Sequence, residues 1–368
     1  MTRRIKQNLD TSLRVLVFNA QSIRNKMDLF RSLMVVEKPD IVGISETWIH
    51  TKTRDFEGEY ELKGYRMFKK DRIDKEGGGV LLYIREHLDP IECKSDSNHE
   101  MLGVCLNKLD KKLHIYIVYR PPHQSTDKDD SLYSSLKTAI RNKMCILMGD
   151  FNCNIDWQAR TANSEGQRLL DFANEEFLTQ WVKKPTRGNN ILDLVFSTEE
   201  NIVTKLDVGE KLGKGDHNMI RFEIKVSNPR NQKSFKKLNF KRANFDRLRA
   251  EIRDINTSGN MNVEDIWQSH KASFMIAQSY CIPQTEVKAN KTENPKWFTR
   301  NIEKAIKNRQ KSYRLSKMQP NQENKRKHYL MCRQVNKMIR QAKLDYEDRI
   351  ASTGSPRLTS LIRSYTVM

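Results

Sequence analysis

The chain has 368 residues, with 66 Lys and Arg against 46 Asp and Glu and a formal net charge of +20. Its hydrophobic fraction of 37% is sufficient for a folded core, and its length allows one large domain or two ordinary ones. The apolar runs are too short to span a bilayer, and none follows the basic N-terminus, so we expect neither a membrane span nor a secretory signal. Six cysteines without a Cys-x-x-Cys pair disfavour a disulfide framework or a zinc site.

The charge is concentrated in the C-terminal part of the chain. Residues 1–229 carry 36 Lys and Arg and 34 Asp and Glu, whereas residues 230–368 carry 30 and 12. Such asymmetry indicates a polyanionic partner, most simply nucleic acid, although Lys- and Arg-rich helices can also be solvated faces without a partner.

Residues 13–225 alternate between apolar strands and amphipathic helices. Strands are predicted at 13–18, 40–45, 79–84, 113–119, 144–148, 191–196 and 219–226, and helices at 25–38, 131–142 and 166–177. This alternation favours an α/β sandwich in which helices cover sheets. The run Gly77-Gly78-Gly79 precedes a strand and not a helix, so we interpret it as a turn and not as a phosphate-binding loop.

The pattern becomes helical after Ser227-Asn-Pro-Arg. Helices are predicted over 301–318 and beyond Pro320, and the second helix carries a narrow apolar stripe at Val335, Met338, Ile339, Ala342 and Tyr346. We therefore expect a domain at 12–228 followed by a basic, all-helical extension at 229–368.

Polar side chains lie at the ends of the apolar strands in the N-terminal domain. Strand ends in α/β folds converge on one crevice, so these side chains are expected to meet there. Any one of them could be a turn former or a helix cap, but together they supply the carboxylate, amide, imidazole and phenol groups that suit a hard divalent cation and an activated water. The set is Asn19, Glu46, Tyr119, Asp150, Asn152, Asp193, Asp216 and His217.

Residue chemistry suggests a role for each group. Glu46 suits Mg²⁺ as its main ligand, and Asp150 can orient and deprotonate a water molecule for attack on a phosphodiester. The side chains of His217, Asn152 and Tyr119 can donate hydrogen bonds to the phosphoryl oxygens as charge develops on them. The carboxylate of Asp193 can hold His217 in one tautomer. The sequence contains no recognisable Ser or Cys triad, which argues against a covalent nucleophile.

These residues lie in motifs that resemble those of the endonuclease/exonuclease/phosphatase superfamily, which includes deoxyribonuclease I and the apurinic endonucleases. The Ser-Glu-Thr-Trp and Tyr-Arg-Pro-Pro forms look most like the endonuclease domains of LINE-type (non-LTR) retrotransposons. The resemblance covers about residues 12–228. The motifs, in family order, are Val17-Phe-Asn19, Ser45-Glu46-Thr-Trp48, Val118-Tyr119-Arg-Pro-Pro122, Met148-Gly-Asp150-Phe-Asn152, Ile191-Leu-Asp193-Leu and Gly215-Asp216-His217.

The resemblance implies a deoxyribonuclease I-like α/β fold, a four-layer sandwich of two mixed β-sheets flanked by helices. It implies a metal cluster of Glu46, Asn19 and Asp216. It also implies that Asp150 activates water, that Asn152, Tyr119 and His217 contact the scissile phosphate, and that Asp193 pairs with His217. Arg120, beside Tyr119, is expected to contact nucleic acid.

The implied reaction is a nick in double-stranded DNA that depends on Mg²⁺, with Mn²⁺ as a substitute, and leaves a 3′-hydroxyl. We expect the protein to act in the nucleus. RNA is a second expected partner, bound through the basic C-terminal region.

Three departures from the family pattern bear on this prediction. Gly215 stands where many relatives have Ser, which should not abolish the chemistry. Pro122 stands where many nucleases have Asn, which removes one expected phosphate contact. A Tyr-x-Asp-Asp polymerase motif is absent, so the basic region resembles the connector before a reverse transcriptase domain that this chain lacks. We therefore predict no reverse transcriptase activity, and we interpret the chain as a truncated or domesticated copy or a fragment.

Two alternatives remain open on sequence grounds. A phosphatase or phosphodiesterase of the same superfamily could act on lipid head groups or inositol phosphates, but Ile191-Leu-Asp193-Leu lacks the Trp-x-Asp-Arg form of inositol polyphosphate phosphatases. A catalytically silent relic could bind nucleic acid without cutting it, although the candidate catalytic set is intact.

Overall fold

A computed structural model describes residues 11–49, 57–72, 77–93, 98–109, 111–226, 235–253, 263–287 and 294–352. The chain divides into two compact units. The large unit comprises residues 1–230 and 292–368, and the small unit comprises residues 231–291. No helix within the described ranges is long and apolar enough to cross a membrane.

The large unit contains most of the secondary structure. Its strands are β1 (Thr11–Asn19), β2 (Ile41–Ser45), β3 (Tyr65–Lys70), β4 (Val80–Arg85), β5 (Pro90–Cys93), β6 (Met101–Leu106), β7 (Leu113–Tyr119), β8 (Met144–Asp150), β9 (Ile155–Asp156), β10 (Thr161–Ala162), β11 (Thr179–Gln180), β12 (Asp193–Ser197), β13 (Val203–Lys211) and β14 (Asn218–Val226). Its first three helices are α1 (Met27–Glu37), α2 (Thr126–Ile140) and α3 (Ser164–Glu175).

Two six-stranded mixed sheets form the centre of the large unit. The first sheet has the strand order β13-β14-β1-β2-β4-β3, and the second has the order β11-β12-β8-β7-β6-β5. Each contains one parallel pair, β1 with β2 and β7 with β8, among antiparallel neighbours. The short strands β9 and β10 pair separately.

The alternation of side chains along each strand builds a four-layer sandwich, as predicted. Residues of both sheets that face inward, such as Val17 of β1 and Met148 of β8, share one buried apolar cluster. The opposite face of β1 packs through Phe18 against Phe30 of α1. The opposite face of β8 packs through Leu147 against α2 and α3. Because successive side chains of a strand point to opposite faces, each strand contributes both to the central cluster and to the packing against the outer helices.

The helix predicted at 131–142 begins five residues earlier, at Thr126. The sequence prediction began at Ser131, directly before the first apolar residue, whereas the first turn of α2 is polar. Asp127 and Asp129 lie in that turn, where negative side chains stabilise a helix N-terminus.

The predicted C-terminal extension does not form one region. Helices α4 (Phe245–Arg253) and α5 (Val263–Cys281) lie in the small unit. Helices α6 (Arg300–Met318) and α7 (Gln322–Ser352) belong to the large unit and pack against α1 and β13.

The extension is also not all-helical. Strands β15 (Phe235–Leu238) and β16 (Gln284–Val287) pair antiparallel, at a sequence separation that leaves no local hairpin signal.

Charge pairs and an apolar seam attach α6 and α7 to the rest of the large unit. The guanidinium of Arg309 bonds Glu210 of β13, with Nη2 at 2.6 Å and Nε at 3.1 Å from Oε1, and both side chains are buried. The Lys343 ammonium pairs with Asp28 of α1 at 2.8 Å. The predicted stripe of α7 forms the apolar seam, since Val335 and Ile339 are buried among residues of α6 and α1.

Candidate active site

Most of the predicted polar residues meet at one edge of the two sheets. Strands β1 and β2 end together there, with Asn19 opposite Ser45, directly before Glu46. In the second sheet Asp150 pairs with Tyr119 on one side and with Asp193 on the other. Pairing between strands that are distant in sequence thus brings these residues beside one another. We call this edge the candidate site.

Asn19 joins the two sheets at the candidate site. Its Nδ2 donates one hydrogen bond to Glu46 Oε1 and another to Asp150 Oδ2, both at 2.8 Å. Its Oδ1 accepts the backbone N–H of Gln21 at 2.9 Å. With both ends of the amide engaged, Asn19 fixes the spacing between the carboxylates of Glu46 and Asp150.

His217 lies between two carboxylates from the second sheet. Its Nδ1 donates to Asp193 Oδ2 at 2.7 Å, and its Nε2 faces Asp150 Oδ2 at 3.9 Å. Burial alone would lower the pKa of His217, but the hydrogen bond and charge of Asp193, with the charges of Asp150 and Asp216, raise it above its ordinary value. The arrangement therefore favours an imidazolium whose Nε2–H is directed into the site.

Asp150 is fully buried and is bonded by neutral donors. Burial, reinforced by the nearby charge of Asp193, raises the pKa of the Asp150 carboxyl well above its usual range, and His217 opposes this rise. Its Oδ1 accepts the backbone N–H of Asn152 at 3.0 Å. A buried carboxylate with a raised pKa is a better proton acceptor than an ordinary aspartate, which suits a general base.

The end of β8 and the tight turn after it determine the position of Asn152. Gly149 has φ of +139°, and a methyl group there would overlap the carbonyl of Val118, so glycine is required. Asn152 itself has φ of +49°, in the left-handed region where Asn is tolerated. Its Nδ2 donates to the Arg120 carbonyl at 2.9 Å and to Asp150 Oδ2 at 3.2 Å. The amide is held beside Asp150 by the turn.

Tyr119 closes β7 with its phenol near the carboxylates. Burial, together with the charges of Glu46 and Asp150, raises the pKa of Tyr119 far above its ordinary value. The phenol therefore keeps its proton at any physiological pH and can act as a hydrogen-bond donor.

The expectation that Arg120 contacts nucleic acid is wrong. Its side chain is completely buried, and its Nε and Nη2 donate to the two carboxylate oxygens of Asp129, each at 2.7 Å. Adjacent residues of a strand point to opposite faces, so Arg120 turns away from the face that carries Tyr119. The bidentate pair anchors α2 to the end of β7 instead.

Glu46 is held by a strained backbone and by Trp48. Glu46 has φ of +51° and Trp48 has φ of +54°, which is uncommon for residues other than glycine and is typical of functional sites. The indole Nε1 of Trp48 donates to Glu46 Oε2 at 3.1 Å, and the indole is 40% exposed. The Trp48 indole and the Asn19 amide thereby both donate to Glu46.

Asp216 lies at the rim of the site. Its Oδ2 pairs with Arg187 Nε at 2.7 Å, and its backbone N–H donates to Gln21 Oε1 at 3.2 Å. Its Oδ1 is buried, lies 3.7 Å from His217 Nε2, and accepts no hydrogen bond from the described part of the chain. A buried carboxylate oxygen without a donor is costly, and a bound cation would satisfy it.

Lys26 is a further basic group at the rim that the sequence did not reveal. Its Nζ donates to the backbone carbonyls of Ala20 and Gln21, the latter at 2.9 Å. Burial lowers the pKa of Lys26, although the charges of Asp216 and Glu46 oppose this. Lys26 therefore supplies positive charge beside these carboxylates.

The donor set fits a divalent cation. The carboxylates of Asp150 and Asp193 lie in a buried group with His217 whose ligand atoms are all within 4.8 Å of one another, but a charged imidazole cannot bind a metal. Asp193 Oδ1, like Asp216 Oδ1, is a buried acceptor without a hydrogen-bond donor among the described residues. Carboxylate and amide oxygens are preferred by hard cations such as Mg²⁺ and Mn²⁺. Glu46 is partly exposed, which leaves room for the water that Mg²⁺ retains.

Comparison with known proteins agrees with this fold. Residues 113–221, from β7 into β14, match the family model described as endonuclease-reverse transcriptase. The endonuclease domain of TRAS1, a telomere-specific non-LTR retrotransposon, is similar at 20% identity with a TM-score of 0.50, over 59% of this chain and 100% of that one. The AP endonuclease LMAP from Leishmania major is similar at 13% identity with a TM-score of 0.50, over 58% and 88%.

A comparison with curated protein sequences finds no match. The resemblance inferred from the motifs is nevertheless confirmed by the family model and by the solved structures. The large unit has the fold of the endonuclease/exonuclease/phosphatase proteins, and residues 113–221 within it match the endonuclease-reverse transcriptase family.

Proposed function

We propose that this chain is a metal-dependent DNA endonuclease that hydrolyses one phosphodiester bond and leaves a 3′-hydroxyl. The observation that carries the proposal is the contact series in which Asn19 joins Glu46 to Asp150, and Asp150 faces His217 Nε2 at 3.9 Å. This series supports a proposal in which Glu46 is a metal ligand, Asp150 a base and His217 a charged donor.

Asp150 is the proposed base. Hydrolysis requires a water molecule to attack phosphorus in line with the departing 3′-oxygen. The buried carboxylate orients that water and accepts its proton, since its raised pKa increases its proton affinity. The new bond joins the water oxygen to phosphorus, and the bond from phosphorus to the 3′-oxygen breaks. The departing 3′-oxygen takes a proton from solvent water, so the products are a 5′-phosphate and a 3′-hydroxyl.

His217, Tyr119 and Asn152 are the proposed donors to the phosphoryl oxygens. Fixed donors aimed at developing negative charge each lower the barrier by a few kcal/mol. Asp193 acts through His217, because its hydrogen bond of 2.7 Å fixes the ring and favours the charged form. Tyr119 donates from a phenol that stays protonated.

Glu46 and Asn19, with Asp216, are proposed to hold the cation. Mg²⁺, or Mn²⁺ in its place, would supply positive charge that offsets the phosphate charge and the charge on the departing oxygen. The chain itself contributes fixed carboxylate spacing through Asn19 and a buried acceptor on Asp216.

DNA is the proposed substrate. The similar TRAS1 domain is described as belonging to a telomere-specific retrotransposon, and the similar Leishmania protein as an AP endonuclease. Between residues 294 and 352 the chain carries sixteen Lys and Arg against five Asp and Glu, which suits a long polyanion. We propose that this basic hairpin of α6 and α7 grips double-stranded DNA, with RNA as a second partner. A nuclear location follows from this substrate.

Nicking of supercoiled plasmid tests the proposal. Purified chain should relax the plasmid with Mg²⁺ and not with EDTA, and Glu46→Gln and Asp150→Ala should both abolish nicking while DNA binding persists. Glu200→Gln is the matched control, because Glu200 is exposed beyond β12 at the opposite edge of the sheet. Binding without nicking by folded wild-type protein would favour the silent relic, and small phosphoesters would then be the next substrates.

A further inference from the structure

Arg72 follows β3 at the same sheet edge as the candidate site. Its guanidinium carbon lies 5.7 Å from the centroid of the Tyr119 ring, over the face of that ring. Its Nε donates to Glu100 Oε1 at 2.8 Å, and its Nη2 donates to the same oxygen. The planar Arg72 guanidinium is thus held along one edge by the Glu100 carboxylate, and one of its faces covers the Tyr119 ring.

Glu100 is bonded to three other parts of the site. Its backbone carbonyl accepts the N–H of Tyr119 at 2.8 Å, and its Oε2 accepts the N–H of Gly79 at 2.5 Å. The same residue therefore fixes the backbone of Tyr119, the guanidinium above the Tyr119 ring, and the turn before β4. A group with this many fixed partners has little freedom to move.

The turn at Gly77-Gly78-Gly79 allows Arg72 and Glu100 to approach the backbone closely. Gly78 has φ of +69°, and a methyl group there would overlap both the Glu100 carboxylate and the Arg72 guanidinium. The carbonyl of Gly78 accepts the N–H of Trp48 at 3.0 Å. The turn therefore contacts the segment that follows Glu46 as well as the pair of Arg72 and Glu100.

We propose that Arg72 is a positioning residue that holds the Tyr119 ring in its orientation, and that Glu100 and the glycine turn hold Arg72. The inference deepens the proposed function and rests on it, since Tyr119 is there a donor to the scissile phosphate. A donor that is displaced from its phosphoryl oxygen loses most of its effect, so orientation of the phenol bears directly on rate.

NMR of ¹³C-tyrosine-labelled protein tests the positioning without any reaction. The Tyr119 ring signal is identified by its loss in Tyr119→Phe. We expect it to shift or broaden in Arg72→Met and in Glu100→Gln, while the other tyrosine signals stay in place and report an intact fold. Arg66→Met is the control, because Arg66 lies on β3 at the opposite edge of the sheet. An unmoved Tyr119 signal in both test variants would overturn the inference.

Nicking kinetics test whether the positioning matters for the reaction. Arg72→Met should lower kcat on the order of 10- to 100-fold with little change in KM. Arg72→Lys should recover only part of the loss, since it keeps the charge but not the planar fork. In a Tyr119→Phe background, Arg72→Met should have little further effect, because both changes act on one hydroxyl. Equal fold-losses in the two backgrounds would contradict the inference.

The two experiments separate the inference from the proposed function. Wild-type protein that does not nick DNA would refute the proposed function alone, because the NMR result still decides whether Arg72 orients Tyr119. Wild-type protein that nicks DNA, with an Arg72→Met variant of unchanged kcat, would refute the inference alone.

Discussion

The Nε2 atom of His217 lies 3.9 Å from Oδ2 of Asp150, although the two residues come from different sheets. Asp150 ends β8 of the second sheet, and His217 directly precedes β14 of the first. The contact exists only when the two sheets pack face to face. The geometry of the candidate site therefore depends on the packing of the central apolar cluster between the two sheets.

The hydrogen bond from His217 to Asp193 predicts a change in the pH profile. Activity that needs charged His217 falls as pH rises through its raised pKa. Asp193→Asn removes the hydrogen bond to a charge, so the pKa of His217 falls and the alkaline limb should move to lower pH by about one unit. The rate should also fall about 100-fold or more. The measurement is kcat/KM against pH with saturating metal, and an unmoved limb would show that His217 is not the titrating group.

The buried carboxyl of Asp150 predicts that the ionised side chain lowers the free energy of unfolding at high pH. Its folded pKa is raised above the unfolded value, so its contribution to stability is present at low pH and is lost as pH rises through the folded pKa. Asp150→Asn should therefore raise the free energy of unfolding at pH 8 by roughly 1–2 kcal/mol, and the gain should shrink near pH 4. Denaturant unfolding in EDTA measures both, with Glu200→Gln as control. A destabilised variant at pH 8 would contradict the assignment.

The sequence predicted much of the candidate site because its residues share a simple rule. Asn19, Glu46, Asp150 and His217 each flank an apolar strand, and strand ends at one edge of a sheet converge. The same rule gave a wrong prediction for Arg120. It too follows a strand, but the alternation of side chains turns it toward Asp129 and not toward the site.

Other contributors to the site have no comparable sequence signal. Lys26 lies at the start of α1, Arg187 in a loop, and Glu100 before a strand that begins with Met101. Each reaches the site through tertiary packing. Gln21 is the exception, since it lies only two residues beyond Asn19, which ends β1.

The bidentate pair of Arg120 and Asp129 predicts a structural role. Arg120→Ala leaves a buried carboxylate without its partner, which should cost about 3–5 kcal/mol of unfolding free energy. The double change Arg120→Met with Asp129→Leu should cost much less, because no charge is left buried. Denaturant unfolding compares the single and the double variant.

A folded Arg120→Lys variant should retain wild-type DNA affinity, and weakened affinity would restore Arg120 as a DNA contact.

The outward face of α6 predicts a salt-dependent contribution to DNA binding. Lys304, Lys311 and Arg314 are exposed and form no ion pair within the described part of the chain. Changing all three to Gln in an Asp150→Ala background should weaken affinity. It should also reduce the slope of log affinity against log salt by about 0.9 for each lost phosphate contact.

Changing Lys108, Lys111 and Lys112 to Gln is the matched control, because it removes the same charge from the turn between β6 and β7 at the opposite edge. Fluorescence anisotropy across salt concentrations gives both slopes. Equal slopes in the two triple variants would identify the α6 residues as a solvated face.

The C-terminal part of the chain was the least predictable from sequence. Positive charge and helical periodicity do not distinguish the helices of the large unit from those of the small unit. The distinction depends on partners such as Glu210, which pairs with Arg309 across 99 residues. The strand pair β15 and β16 was missed for a similar reason, since each strand has four residues and its partner is distant.

The most direct test of the central claim is to nick supercoiled plasmid with the purified chain and Mg²⁺, and then add DNA polymerase and labelled nucleotides. The account predicts incorporation at the nick without prior phosphatase treatment, since the product carries a 3′-hydroxyl. It also predicts no incorporation with EDTA or with Asp150→Ala. Nicks that need phosphatase before extension, or nicking that survives in Asp150→Ala, would contradict the assignment of this site.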